Sequence, residues 1–220
     1  MFCSFTESGT EPSIHPPNES PLMTTLHYRD GETLREARLR YWRANGFGDD
    51  GGYLKKWEVL KIGPVPFPIP NGAARKDAIR YHDLNHVITG YDTDLPGETE
   101  IAAWEVASGC GTKWVAWLLN LQALLMSPAW PKRTLRAWAR GRRSKNLYSD
   151  GFTEETLDQT VGELRDRLNV PPPETEPEAS DRVSLLATVT ATLVVNLSLI
   201  ALGITGVLYA AQKITACPYC

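Results

Sequence analysis

At 220 residues and a formal net charge of −3, the chain is long enough for one domain with a sizeable core and short for two. An acidic balance argues against a nucleic-acid partner, which calls for a basic domain or face. The four cysteines, Cys3, Cys110, Cys217 and Cys220, are scattered apart from the last pair, so they do not form the disulfide framework of a small secreted domain.

Residues 1–23 contain Glu7, Glu11 and Glu19 with no Lys, Arg or apolar run. They read as a disordered leader, not as a secretory signal or an Arg-rich transit peptide. From Gly31 the pattern is helical, with Leu34, Ala37, Leu39, Tyr41 and Trp42 set among Glu and Arg, and Asn45-Gly46 ends it. Tyr53 to Ile62 is expected as a short helix or a strand. Gly63 to Pro70 follows with alternating prolines, which predict an extended, hydrogen-bond-poor strap against the domain, packed through Val65, Phe67 and Ile69.

Asn71 is placed to cap a helix carrying Arg75 to Ile88, ended by Gly90. This helix holds the sequence His82-Asp83-Leu84-Asn85-His86. Residues four apart stack on one face of a helix, so both imidazoles can reach one ion, and Asp83 can close the site or orient a ligating ring. Thr93 or Asp94 caps the next helix, with Leu95-Pro96 in its first turn. Glu98 then stands near an N-terminus, where the helix dipole favours a carboxylate. This helix runs to Gly109, and Glu98, Ala102 and Glu105 share a face. Glu105 is readable either as a support for the ligands or as a surface carboxylate.

Lys113 to Met126 is apolar around most of its circumference, as a buried, dimeric or lipid-facing helix would be. The core is the first expectation, and one wall of a lipid groove is the second. Trp130 to Lys145 carries Lys132, Arg133, Arg136, Arg140, Arg142, Arg143 and Lys145 with no acidic residue. It reads as a contact with anionic head groups or as a solvated face. Phe152 to Leu168 is expected as one amphipathic helix capped by Thr153, and residues 171–182 as an acidic, Pro-rich linker.

No charged residue occurs between Arg182 and Lys213, which predicts a transmembrane span over 183–212 despite several Ser and Thr and Asn196. With only residues 213–220 beyond it, the span reads as a tail anchor that leaves the main domain cytoplasmic. The tip ends Cys217-Pro218-Tyr219-Cys220. A low-pKa thiolate needs a following helix N-terminus, so redox activity is not expected there, and Pro218 and Tyr219 do not suit prenylation.

The spacing His82-Asp83, His86 and, after eleven residues, Glu98 resembles the H-D-x-x-H-x(11)-E signature of the fourth coenzyme Q (ubiquinone) biosynthesis protein family. The flanking Arg75, Lys76 and Arg80, Thr89 to Asp92 and Gly97 resemble bacterial members, and the likeness covers roughly residues 31 to 165. Because mitochondrial members need a transit peptide, its absence suggests a bacterial inner-membrane protein. The chain as a whole is expected to be all-α, a compact helical domain over 24–170 followed by the C-terminal transmembrane helix; the first thirty residues and that hydrophobic tail lie outside the family pattern. The resemblance implies a divalent metal on His82, Asp83, His86 and Glu98, with zinc favoured and iron or manganese compatible with the same donors. The implied substrate is a polyprenylated quinone precursor, and the implied partners are other quinone-biosynthesis proteins and the membrane. Two roles follow from the resemblance: organising the biosynthetic complex, and oxidative decarboxylation at ring C1. A homodimer that shares the lipid groove is compatible with either.

Two other classes compete. A metal-dependent phosphohydrolase also uses a His-Asp pair, but needs an upstream His such as His27 and a downstream Asp such as Asp158 or Asp166. A non-enzymatic lipid-binding scaffold would use the metal only to pin two helices. A closed four-ligand site favours the scaffold, and an open coordination position favours chemistry.

Overall fold

The computed structural model describes residues 28–62 and 65–215. The leader, His27 and the Cys217 to Cys220 tip lie outside these residues. Among the described residues the fold is all-α apart from one hairpin, and the last helix is long and apolar enough to cross a membrane.

Helix α1 (Leu34–Ala44) opens with a capping box, in which the Thr33 hydroxyl accepts from the Glu36 amide and the Glu36 carboxylate accepts from that of Thr33. Strands β1 (Trp57–Ile62) and β2 (Val65–Pro70) form an antiparallel hairpin that pairs Trp57 with Pro70 and Ile62 with Val65. The proline segment is therefore a paired strand, not a hydrogen-bond-poor strap. Pro66, Pro68 and Pro70 alternate, so their missing N–H groups all fall on one edge, and Val65, Phe67 and Ile69 keep theirs for the other. An edge without donors also cannot extend the sheet.

Helix α2 (Ala73–Thr89) starts at Gly72 without a side-chain cap. Asn71 is engaged elsewhere, since its amide donates to the carbonyls of Gly52 and Lys55 and its oxygen accepts from Arg75. Gly90, with φ 77°, closes α2 in the left-handed region. Helix α3 (Leu95–Ser108) is capped by Asp94, whose carboxylate accepts from the Gly97 amide at 2.8 Å.

Helix α4 (Trp114–Leu124) buries Val115, Ala116, Asn120 and Leu124 but leaves Trp114, Leu118 and Leu119 exposed, with Met126 just beyond its end. The expectation of a core helix holds for one face only. A short 3-10 turn (Ser127–Ala129) leads into α5 (Pro131–Arg143), which crosses α3 closely. A Cβ at Gly141 would lie 2.5 Å from the Trp104 carbonyl, so a larger residue there would force the two helices apart.

After α6 (Leu147–Asp150), the predicted 152–168 helix is two: α7 (Glu154–Asp158), capped by Thr153, and α8 (Val161–Arg167), capped by Thr160. The break at Gln159-Thr160 lets the chain pair with the entry to α1. There Leu34 donates to Gln159 and Val161 to Glu32, which ties the two ends of the domain together. The main core joins α1, α2, α6, α7 and α8 through Leu34, Tyr41, Leu84, Ile88, Leu147, Leu157 and Leu164. A second cluster joins α3, α4 and α5 to the last helix through Val106, Leu124, Trp138 and Leu185.

That last helix, α9 (Ala179–Thr215), begins inside the predicted linker. The linker and the basic helix are not independent of each other. Arg142 and Arg143 pair with Asp181 at 2.7 and 3.2 Å, Arg143 also with Glu178 at 2.7 Å, and Arg136 with Glu176 at 3.5 Å. Arg133 pairs with Glu100, while Arg140 is buried against the carbonyls of Pro171 and Thr89. Arg133, Arg136, Arg140, Arg142 and Arg143 therefore engage the fold, while Lys132, Arg133, Arg136, Arg142 and Lys145 also remain exposed, so a partly solvated face persists. The polar side chains inside α9 answer to its own backbone: Thr188, Thr192 and Asn196 donate to the carbonyls of Ser184, Thr188 and Thr192. In this way Thr and Asn are tolerated in a helix otherwise suited to lipid.

Candidate metal centre

Three of the four predicted ligands converge. His82 and His86 lie one turn apart on α2 with their Nε2 atoms 3.1 Å from each other. Glu98 reaches across from the first turn of α3, with Oε2 3.4 Å from His82 Nε2 and Oε1 3.5 Å from His86 Nε2. Gly97 permits that approach, because a Cβ there would collide with the Asp92 carbonyl.

The other ring nitrogens fix what the Nε2 atoms present. His86 Nδ1 faces the Tyr91 carbonyl at 2.9 Å, and His82 Nδ1 faces both oxygens of Glu105 at 3.2 Å. Only an N–H suits either partner. In the neutral rings both Nε2 atoms are then lone pairs, pointed at each other and at a carboxylate. Such a cluster is repulsive until a cation enters it. A tetrahedral ion with N and O donors at about 2.1 Å spaces those donors about 3.4 Å apart; the Nε2 atoms stand 3.1 Å apart and each faces a different Glu98 oxygen at 3.4 and 3.5 Å, so the group could hold one metal ion.

A proton on His82 is the other cation that satisfies the cluster. Burial opposes it, but Glu105 and Glu98 outweigh burial and hold the His82 pKa well above 6.5. Burial likewise disfavours charge on Glu98 and Glu105, yet the histidines keep both carboxyls below their ordinary range. Glu98 keeps 40% of its side chain exposed and His86 none, so the cluster opens to solvent on the α3 side.

Asp83 is not brought to this cluster. One residue on from His82, it turns to the far side of α2, where it is 4% exposed and accepts from Trp42 Nε1 at 2.8 Å and from the Tyr53 hydroxyl at 2.7 Å. Its burial raises its pKa. It holds α1 and the loop after it onto α2. The convergent set is therefore two imidazoles and one carboxylate, which leaves coordination positions open.

Glu105 is the residue whose role the sequence leaves undecided. It is fully buried and accepts from Asn85 at 2.8 Å, from Asn120 and from the Tyr148 hydroxyl at 3.1 Å, besides facing His82. Donors from α2, α4 and α6 thus converge on one carboxylate that orients the His82 ring. Its i+7 relation to Glu98 is a usable signal; Asn120 and Tyr148 carry none. Tyr41 stacks on the His86 ring with centroids 5.5 Å apart.

Of the residues that a phosphohydrolase would add, His27 lies outside the described residues and the two aspartates are elsewhere. Asp158 pairs with Arg35 at 2.9 Å, and neither it nor Asp166 joins the cluster. Surface clefts of about 600 and 300 Å³ lie along α1 and between Asp92 and Arg136; neither is lined by His82, His86 or Glu98. No family model matches the chain, and no curated protein matches it.

Proposed function

We propose that the protein is a membrane-tethered metalloprotein of ubiquinone biosynthesis that acts on a polyprenylated aromatic precursor. The observation that carries this reading is the convergence of His82 Nε2, His86 Nε2 and the Glu98 carboxylate, with both Nδ1 atoms already committed. They stand at the spacing that resembles the fourth coenzyme Q biosynthesis family, on a domain whose last helix is long and apolar enough to cross a membrane.

His82, His86 and Glu98 would hold one divalent metal, with zinc favoured. When bound, such an ion supplies Lewis acidity that stabilises negative charge as the ring carboxylate departs. The chain's own part is positional and electrostatic. Glu105 retains the His82 Nδ1 proton and so keeps Nε2 free; the Tyr91 carbonyl does the same for His86. Glu98 offers a partly exposed carboxylate at the open side, where a substrate would arrive. Three protein donors, not four, favour chemistry over a purely structural metal.

The test is turnover of a prenylated hydroxybenzoate by the full chain in lipid, comparing the native protein with His86→Ala. Loss of ring decarboxylation in a folded, lipid-bound variant supports the catalytic reading. Equal turnover would overturn it. Bound metal without turnover in the native protein would favour the scaffold role.

A further inference from the structure

We propose that the turn between α4 and α5, together with the exposed face of α4, is a second membrane contact, seated in the head-group region of the leaflet that α9 enters. This rests on α9 being a membrane span.

The position of the bilayer surface follows from how α9 leaves the domain. Arg142 and Arg143, at the end of α5, meet Asp181 at the start of α9, and Trp138 Nε1 donates to Ser184 at 2.9 Å. The two helices therefore run antiparallel, and the start of α5 at Pro131 stands level with about residue 191. Among the described residues, Thr192 is the last buried one of α9. From Leu193 to Lys213 the helix has no charged residue before its final lysine and stands clear of the domain. At ~1.5 Å per residue that segment rises about 32 Å, which matches a hydrocarbon core of about 30 Å. The surface of the bilayer then falls at the level of Pro131.

What the domain presents at that level suits an interface. The turn reads Leu125-Met126-Ser127-Pro128-Ala129-Trp130-Pro131-Lys132, apolar, without an acidic residue, and carrying the Trp and Lys that anchor proteins at head-group depth. Met126, Pro128, Ala129 and Lys132 are exposed, and Leu118 and Leu119 extend the apolar surface back along α4. On the adjoining face of α4, Trp117 and Leu121 pack on the cluster that contains Leu185 and Val189 of α9, so α4 is docked beside the stretch of α9 that leads into the span.

The experiment uses the full chain with Cys3, Cys217 and Cys220 changed to Ser, reconstituted in phosphatidylcholine/phosphatidylglycerol vesicles. An environment-sensitive fluorophore is attached in turn at Met126→Cys, Leu202→Cys and Glu154→Cys, and lipid-borne quenchers are added. The expected result is strong quenching at 202 by deep quenchers, strong quenching at 126 by shallow ones, and none at 154. Quenching at 202 with 126 as unquenched as 154 would overturn the second contact while leaving the span intact. No quenching at 202 or 126 would remove the span and this inference with it.

Discussion

Between α5 and α9, Arg136, Arg142 and Arg143 meet Glu176, Glu178 and Asp181, and the charges cancel within the chain. Between α2 and α3, two imidazoles and the carboxylates of Glu98 and Glu105 gather with no Lys or Arg bonded to any of them among the described residues. In sequence both regions read as ligand sites, the first for anionic head groups and the second for a metal ion. The structure engages most of the first within the chain and brings His82, His86 and Glu98 of the second together. A dense run of charge is spoken for when its counter-charge lies on a segment packed against it, and a sparse set is poised when the far nitrogens of both rings are already committed.

The largest effect that would break this contrast is expected at Glu105. Glu105→Ala strands the amides of Asn85 and Asn120 and the Tyr148 hydroxyl in a dry interior, and should destabilise the fold by about 3–5 kcal/mol in chemical denaturation. Glu105→Gln keeps the shape and some of the bonds, and should lower metal affinity about 10–100-fold by loosening the His82 ring. Unchanged affinity would show that the ring is held by other contacts.

Asp83→Ala comes next. It leaves Trp42 Nε1 and the Tyr53 hydroxyl without their acceptor, for a loss of about 2–4 kcal/mol, yet metal should still bind at about one ion per chain. Loss of metal in a folded Asp83→Asn variant would instead make Asp83 a ligand after all.

On the clasp side, Asp181→Ala should cost about 1 kcal/mol, since Arg142 and Arg143 keep contact with water. Limited proteolysis should then cut faster near residues 171–178. Equal cutting rates would mean that apolar packing alone docks α9.

A pH series sharpens the comparison further. Folded His82 keeps its proton above the unfolded value of 6.5, so in metal-free protein its stabilisation is whole below that pH and is lost as pH rises through the folded pKa. Glu98 and Glu105, held below 4.5, contribute above that value and lose their contribution as pH falls through their folded pKa values. Metal-free stability should therefore be highest between about pH 4.5 and 6.5. Because metal must displace the His82 proton, its thermal stabilisation should be larger at pH 8 than at pH 5. The reverse order would mean that His82 is not a ligand.

The helices around the site are legible in the sequence because their start and stop signals are local: Asp94 and Pro96 open α3, Gly90 closes α2, and the Glu98, Ala102, Glu105 face follows from the helical period. The convergence of His82 and His86 follows from the same period. Asp83 is not resolved by it, because neighbours on a helix diverge by about 100° and only the distant Trp42 and Tyr53 decide where its carboxylate goes. Asn71 likewise looks like a cap but serves the loop beside it. The basic α5 misleads for the same reason: its partners Glu176, Glu178 and Asp181 sit more than thirty residues on, in a stretch whose composition alone suggests a free linker.

The most direct measurement is metal content by elemental mass spectrometry on the full chain, purified without chelator or metal-affinity resin, for the native protein, His82→Ala/His86→Ala and Asp83→Asn. The account predicts about one divalent ion per chain in the native protein and in Asp83→Asn, and none in the histidine double variant. Metal absent from a folded native chain, or equally present in the double variant, would contradict it.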